Sequence, residues 1–215
     1  AIVGTVSSTS ISFGSAAVFE SATSQYMSAV YDSNAQKIVV AYRDGGNSNY
    51  GTAVVGTISG TDITFGSATV FESADIPFLS AVYDSKNQKV FIAYEDSGNS
   101  SYGTFVSGTV SGTSISFDSP AVFDSTDSDN IGAAYDANAE RVVIAYRDGG
   151  NSQHGTAVVV RPTSTNLTSE NYIGISDQAY TDAQDATVAV VGCIDRNQTS
   201  LTAGQQYFVQ TDGTL

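Results

Sequence analysis

Apolar residues occupy both sides of a short segment of the chain that is bounded by turn residues. In an extended Lys37 to Arg43, one side carries Ile38, Val40 and Tyr42 and the other carries Val39 and Ala41. A strand that is apolar on both faces fits a sheet packed between two others better than a sheet facing water. The pattern therefore predicts stacked β-sheets.

Similar runs on either side predict four strands in about 50 residues. The predicted strands are Ser28 to Tyr31, Lys37 to Arg43, Thr52 to Ile58, and Ile63 to Phe71. Turn residues separate them, in the segments Asp32-Ser33-Asn34-Ala35, Asp44-Gly45-Gly46-Asn47-Ser48 and Ser59-Gly60-Thr61. We expect these strands to form an antiparallel sheet, with helix almost absent.

This four-strand pattern repeats with a constant offset of 52 residues and no insertion. The motif Ala41-Tyr42-Arg43-Asp44 returns as Ala93-Tyr94-Glu95-Asp96 and as Ala145-Tyr146-Arg147-Asp148. A fixed period of this length is typical of propellers and solenoids. The sequence predicts an all-β protein of tandem four-stranded antiparallel repeats, β-propeller-like, with a linear or prism-like stack of sheets as the alternative.

The predicted repeats do not start and stop at whole sheets. Residues 1 to 22 supply only the last two strands of a unit, and residues 130 to 160 supply the first three. Open strand edges invite pairing, so we expect closure through the C-terminal segment or through neighbouring copies in a homo-oligomer. The absence of an initial Met and the mid-unit start favour a piece of a longer protein.

After Val160 the repeat ends, and residues 161–215 form a second predicted domain beside residues 1–160. Short strands are expected at Tyr172 to Ile175, Thr187 to Val191 and Tyr207 to Gln210, in a small β module. Its last turn, Asp212-Gly213, has no second strand after it, which predicts a truncated module.

Charge and composition exclude several classes of partner. The chain has 22 acidic and 8 basic residues, a net charge of −14, and no cluster of Lys and Arg. Nucleic acid and anionic membranes are therefore not expected as partners. No apolar run of membrane-spanning length and no signal-peptide pattern occurs in the sequence, so membrane insertion is not expected either.

The residues needed for catalysis are sparse. His154 is the only histidine and stands where the other units have Tyr50 and Tyr102, while Cys193 is the only cysteine. Asp32 and Asp44 form the one carboxylate pair of interest, and their return in every unit favours turn formation over acid–base chemistry. We expect no enzyme activity.

A calcium site is a second interpretation of the turns that begin at Asp44, Asp96 and Asp148. Calcium takes six to eight oxygen ligands, whereas each of these loops offers a single carboxylate. We therefore expect structural turns and no cofactor, with these three aspartates as the candidate ligands if calcium does bind.

The most variable positions between units mark a candidate binding surface. They are the segments Thr23 to Met27, Asp75 to Leu79 and Asp127 to Ile131, which precede the first strand of each unit. Loops at one end of a rigid scaffold commonly carry binding residues, and aromatic rings stack on sugars and apolar partners. The candidate ligand-binding residues are Tyr26, Met27, Ile76, Pro77, Phe78, Asp127, Asp129 and Asn130; the alternative is that they are ordinary solvent loops or strand starts.

The repeat also resembles a known class of protein. Val-Gly-Thr-Ile-Ser-Gly-Thr followed by Val-Phe-Glu-Ser, Tyr-Asp-Ser and Ala-Tyr-Arg-Asp-Gly-Gly-Asn-Ser is similar to tandem repeats in tail-fibre-like proteins of marine bacteriophages. Glu170 to Ser176 and Gln198 to Leu215 resemble a module that follows such repeats. The resemblance implies a virion or extracellular structural protein that binds a host-surface receptor or glycan, and it carries no catalytic residue.

Two other classes remain open from the sequence. One is a secreted or surface filament or adhesin of a bacterium, in which open sheet edges join neighbouring chains. The other is a carbohydrate-active enzyme of propeller form, which would use the repeated aspartates.

Overall fold

The computed structural model describes residues 1–160, 175–176 and 188–189, and it is all-β. The described residues contain antiparallel strands and two 3-10 turns, Ser97–Asn99 and Gly149–Asn151, and no α-helix. None of the sheets that these residues form closes into a barrel. No helix in the described part of the chain is long and apolar enough to cross a membrane. The chain divides into two compact parts, Ala1–Pro162 and Thr163–Leu215.

A short hairpin and a five-stranded sheet form the first half of the larger part. The hairpin pairs β1 (Gly4–Ser7) with β2 (Ser10–Phe13). The sheet has the order β3-β4-β5-β6, and β7 also pairs with β5. Its strands are β3 (Ser24–Asp32), β4 (Lys37–Asp44), β5 (Tyr50–Ser59), β6 (Asp62–Phe65) and β7 (Thr69–Asp75).

The single strand expected from Ile63 to Phe71 is two strands in the structure, β6 and β7, which share one edge of β5. The break falls at Gly66, where a Cβ atom would lie 2.0 Å from the carbonyl oxygen of Thr113. Only a glycine backbone permits that approach, because any side chain would collide with the next turn. The same break recurs at Asp118, between β11 and the start of β12, so it belongs to the repeat and the glycine contact is an addition in unit one.

The second sheet has seven strands in the order β14-β13-β12-β10-β9-β8, with β11 beside β10. They are β8 (Leu79–Asp84), β9 (Lys89–Asp96), β10 (Tyr102–Ser111), β11 (Ser114–Phe117), β12 (Ala121–Asp136), β13 (Arg141–Asp148) and β14 (His154–Val160). The 16-residue β12 pairs with β10 through its first half and with β13 through its second half. The sequence had indicated separate strands here, as β7 and β8 are.

In the smaller compact part, β15 (Ile175–Ser176) pairs with β16 (Val188–Ala189) in an antiparallel ladder. These two strands overlap the expected strands at Tyr172 to Ile175 and Thr187 to Val191. The expected strand Tyr207 to Gln210, the turn at Asp212-Gly213 and Cys193 lie outside the described residues.

Three apolar clusters form the core, and they cover both faces of β4 and of β9 and one face of β13. Val39 and Ala41 belong to the same cluster as Val90, Ile92 and Tyr94, so β4 and β9 face each other across one interface. The other face of β4, with Val40 and Tyr42, packs against Phe19 and Phe65. In the third cluster Phe91 and Ala93 meet Val142, Ile144 and Tyr146. We expected Ile38, Val40 and Tyr42 to face one interface between sheets, and the equivalent three residues of units two and three to do the same. This is confirmed, since each set of three packs in a single cluster.

The contacts between successive units also recur at the repeat offset, with unit one as residues 24–75, unit two as 76–127 and unit three as 128–160. Ser28 Oγ accepts the Ala81 N–H at 3.0 Å, and Ser80 Oγ accepts the Ala133 N–H at 3.0 Å. The Tyr83 hydroxyl accepts from the Asn34 N–H, and the Tyr135 hydroxyl accepts from the Lys86 N–H, both at 3.3 Å. Each unit is therefore tied to the next by the same pair of polar contacts.

Candidate functional site

Bulges in the first strands of units one and three build part of the candidate surface. The pairing of β3 with β4 shifts between Gln25 and Ser28, and that of β12 with β13 shifts between Asp129 and Gly132. Tyr26 and Asn130 lie at equivalent places in these bulges with φ of 48° and 52°. Asparagine adopts this left-handed conformation easily, whereas tyrosine does so at a cost of about 1 kcal/mol or more. The bulge turns the Tyr26 side chain away from the regular alternation of its strand.

Two aromatic rings meet at this surface. The Tyr26 ring lies 5.5 Å from the Phe78 ring, centroid to centroid, with 53° between the planes. Tyr26 is 46% exposed and the adjacent Met27 is 59% exposed, while Phe78 is half-buried. Phe78 occupies the position in unit two that Tyr26 occupies in unit one. The structure thus brings two of the candidate side chains, Tyr26 and Phe78, together on one exposed apolar surface, which we call the aromatic patch.

Ile76 belongs to the core and not to this patch. Its side chain is fully buried in the cluster that contains Val90 and Ile92. The sequence had grouped it with Pro77 and Phe78 because all three are apolar and adjacent. Residues 76–78 form the connection between β7 and β8, where the chain packs Ile76 into the core and leaves Phe78 half-buried. Pro77, which is partly buried, stands between the two.

A row of charged side chains lies beside the candidate segments, at the ends of β4, β9 and β13. Arg43 binds Asp75 with two hydrogen bonds, Nε to Oδ1 at 2.6 Å and Nη2 to Oδ2 at 2.8 Å. Arg43 also donates to the side-chain oxygen of Gln25. Arg147 forms a two-pronged ion pair with Asp129, which occupies the repeat position of Gln25 and not that of Asp75. The ion pairs therefore fix Asp75 and Asp129, two residues of the variable segments, against the sheet.

Unit two carries a glutamate, Glu95, where units one and three carry these arginines. Glu95 is 7% exposed. Burial raises the pKa of its carboxyl above the ordinary value; a hydrogen bond with Ser101 opposes this, and Asp127, Asp129 and Asp75 raise it further. The paired Asp75 behaves in the opposite way, since its hydrogen bonds to Arg43 lower its pKa. Along the row, Arg43 and Arg147 are thus paired with carboxylates, whereas Glu95 between them is a buried carboxyl with like charges around it.

Asp127 and Asn130, the remaining candidates, lie on the exposed side of β12. The Asn130 side-chain amide donates to Asp129 Oδ1 at 2.9 Å. Asn130 replaces the aromatic residue of the other two units, so the aromatic patch does not extend into unit three. The sequence had not singled out Arg43, Glu95 or Arg147; the exchange of Arg for Glu at one position of the repeat was the available signal.

The chain matches no protein-family model, no curated protein and no solved structure. Assignment of a function therefore depends on the residues and their geometry.

The candidate calcium ligands cap their own turns. Asp44 Oδ1 accepts the Gly46 N–H at 2.9 Å and Asp96 Oδ1 accepts the Gly98 N–H at 2.9 Å. Asp148 Oδ1 accepts the Asn151 N–H at 3.0 Å. Among the residues that the structure describes, no group of three His, Cys, Asp or Glu side chains is arranged to hold a metal ion. These geometries are those of side-chain turns.

The first aspartate of each unit has the same role at the other end of the strands. Asp32 Oδ1 accepts from Asn34 and Ala35, both at 2.9 Å, and Asp84 Oδ1 accepts from Lys86 and Asn87, both at 3.0 Å. Asp136 repeats the pattern with Asn138 and Ala139. Asp32 is the last residue of β3 and Asp44 the last residue of β4, so each begins the turn that follows its own strand. The aspartates are thus engaged with backbone N–H groups, and His154 is an exposed residue at the start of β14.

Proposed function

We propose that this chain is a non-enzymatic structural and receptor-binding repeat protein of a virion fibre or of another assembly outside the cell. The observation that carries the proposal is the recurrence of one set of inter-unit contacts, from Ser28 to Ala81 and from Ser80 to Ala133. Such contacts join units into a rigid body whose length depends on repeat number. The resemblance to tail-fibre repeats agrees with this role.

The arrangement that we propose for the units is blade-like. The first strands β3, β8 and the second half of β12 lie side by side, linked through Ser28 and Ser80, and each unit adds its later strands outward from them. Adjacent inner strands of this kind are the centre of a propeller, and they also suit a linear or prism-like stack. Small-angle scattering separates the two, because a ring and a rod of equal mass differ in radius of gyration.

The aromatic patch is the part of the scaffold that we propose contacts a receptor, and a glycan is the ligand class that fits it. Exposed aromatic rings stack on the apolar faces of sugars, while nearby amide and guanidinium groups bind hydroxyls. Gln25 and Arg43, which are hydrogen-bonded to each other, supply such groups next to Tyr26. The acidic net charge of −14 favours neutral or basic glycans over acidic ones.

A glycan array and three variants test this function. We expect binding to a neutral or amino-sugar glycan that falls roughly fivefold or more for Tyr26→Ala and for Phe78→Ala, which is the size of a moderate contact residue. Val122→Ala is the matched control, because Val122 is 47% exposed on β12 and lies outside the patch. Equal loss in all three variants, or no binding at all, would contradict the proposed surface.

A hydrolysis screen on the same glycans tests the non-enzymatic part of the proposal. Turnover that disappears in Asp44→Asn or Asp96→Asn would replace it with a carbohydrate-active enzyme. Expected instead is binding without turnover, since both carboxylates accept backbone N–H groups of their own turns.

A further inference from the structure

A phenylalanine ring covers a glycine at the same place in successive repeats. At the two ends of the described repeats, one glycine has no ring over it and one phenylalanine covers none of these glycines. A Cβ atom on Gly51 would lie 2.5 Å from the Phe71 ring, and one on Gly103 would lie 2.5 Å from the Phe123 ring. Gly155 is the third glycine of the series, and no described atom lies within 4 Å of a Cβ built there. Phe19, the first phenylalanine of the series, covers none of these three glycines.

The strand edges also leave one unpaired partner at each end of the described repeats. The long strand of each complete unit, β5 or β10, pairs on both sides. Among the described strands, β14 pairs only with β13, and the β1–β2 hairpin pairs only within itself. The hairpin nevertheless has the register of β5 with β6 and of β10 with β11, because Gly4 lies opposite Phe13 as Gly56 lies opposite Phe65.

A cavity at the start of unit one is a third unfilled surface. In later units Tyr83 and Tyr135 each contact the β-turn of the unit before, at Asn34 and Lys86. Their counterpart Tyr31 lines a cavity of about 430 Å³ together with Lys37, Ile38, Thr57 and Ile58. Thr57 Oγ1 in this lining is buried and makes no hydrogen bond. At the other end, the equivalent turn Asp136 to Glu140 is exposed.

We propose that these surfaces bind each other in a head-to-tail contact between two copies of this chain. Phe19 of one copy covers Gly155 of the other, and the strand segment around Phe19 pairs with the open edge of β14. The turn Asp136 to Glu140 fills the cavity at Tyr31. Because the two contacting faces differ, the contact is heterologous and adds copies in a row or a ring. The partner is argued from the two internal interfaces, which already join the same kinds of surface.

The internal register specifies the contact. Gly51 lies opposite Glu72 and Thr52 opposite Val70, so Gly155 is assigned to Glu20 and Thr156 to Val18 of the second copy. In the single copy the segment around Val18 already pairs in part with the start of its own chain. Ala1 O accepts the Ala17 N–H at 2.8 Å, and Val3 O accepts the Gly14 N–H at 2.9 Å. Ala157 and Val159 occupy the repeat positions of Ala1 and Val3. The end of β14 therefore replaces residues 1–4 of the second copy, an exchange of equal bonds that resembles strand swapping.

One bond of the internal interfaces is absent from the proposed contact. Ser28 and Ser80 accept the N–H of the next unit, but unit three has Gly132 in their place. The Ala29 N–H of the second copy thus receives no such acceptor. The contact is weaker than the internal ones by about one hydrogen bond, which makes it reversible.

Sedimentation velocity over a range of concentrations tests the contact in the full chain. We expect the wild-type mass to rise with concentration. Gly155→Val should weaken association about tenfold or more, because the added side chain overlaps the place of Phe19. Gly132→Ser should strengthen it roughly fivefold by restoring the acceptor for Ala29. A variant lacking residues 1–4 should also associate more tightly, since nothing then has to be displaced.

The controls separate association from folding. Gly155→Val should leave the melting temperature of the isolated chain unchanged, whereas Gly51→Val should lower it because Phe71 already covers that glycine. A chain that stays monomeric even with Gly132→Ser overturns the proposal, as does association that ignores Gly155→Val. A monomer whose melting temperature falls with Gly155→Val would assign the cover of Gly155 to this chain's own residues and would also overturn it.

Discussion

At the scale of single residues, the carboxyls beside the candidate segments make opposite contributions to stability as the pH changes. Burial raises the pKa of Glu95, so its contribution to folding is fully present below the ordinary pKa of a glutamate and is lost as the pH rises through the raised value. Hydrogen bonds to Arg43 lower the pKa of Asp75, so its contribution is present at neutral pH and is lost as the pH falls through the lowered value.

Two substitutions isolate these contributions in urea denaturation across the acid and neutral range. Glu95→Gln should raise the free energy of unfolding at neutral pH and have a smaller effect in acid, since it removes a buried charge near Asp127 and Asp129. Asp75→Asn should lower it at neutral pH, because Arg43 loses its charged partner, and the difference should shrink in acid. Matching pH profiles for the two variants would show that neither carboxyl has the assigned environment.

The turn aspartates could be predicted from the sequence and the charged row could not. Asp32, Asp84 and Asp136 stand at the start of a turn in each unit, and an aspartate there has a local backbone partner three residues away or fewer. The partner of Arg43 is Asp75, which is distant in sequence and becomes a neighbour only because β7 returns along β5. Long-range ion pairs leave no spacing rule, so Glu95 stood out only as an exception within the repeat.

At the scale of elements, the aromatic side chains of β7 and its equivalents hold adjacent sheets together. Phe71 packs 5.3 Å from the Tyr94 ring and 5.6 Å from the Phe117 ring, and it lies over Gly51 of its own sheet. The Tyr94 hydroxyl then donates to Glu72 Oε2 at 3.0 Å. One residue thus connects two strands of its sheet with two strands of the next.

Phe71→Ala should therefore destabilise the protein by about 3–5 kcal/mol, the usual cost of removing a buried aromatic ring. Phe13→Ala is the comparison, since Phe13 is 60% exposed on β2 and should cost less than about 1 kcal/mol. Both free energies follow from denaturant unfolding at neutral pH. Similar losses for the two substitutions would mean that β2 is buried to the same degree as β7.

The alternation of apolar residues predicted where strands occur, but it did not predict where one strand ends and the next begins. The apolar positions of β4 and β9 face both neighbours, as expected from an alternation that is apolar on each side. The break between β6 and β7 recurs at Asp118 between β11 and β12, and no change in the apolar pattern marks it, whereas the continuous β12 runs through residues 121–136, which contain no proline. Unit two has Pro77 at the equivalent junction, and there the strand divides into β7 and β8.

At the scale of the whole molecule, the serine contacts between the first strands couple one unit to the next. Ser80→Ala removes the acceptor of the Ala133 N–H, which should cost about 1–2 kcal/mol. Ser7→Ala in the exposed β1 is the control and should cost roughly nothing. Hydrogen exchange locates the effect, because Ser80→Ala should speed exchange at Ala133 and in β13. Unchanged exchange there would mean that the units are held by apolar packing alone.

The uninterrupted β12 has a mechanical consequence. Tension applied along the chain reaches β12 as shear, since its first half is bonded along β10 and its second half along β13, and many hydrogen bonds must then fail at once. The passage from β7 to β8 is loaded in the same way, but the ladder is interrupted at Pro77, and the pairs that Ser128 and Asp129 form in β12 have no counterpart there, so fewer bonds carry the shear. Under tension we therefore expect the chain to yield first between units one and two and to stay stiffer between units two and three.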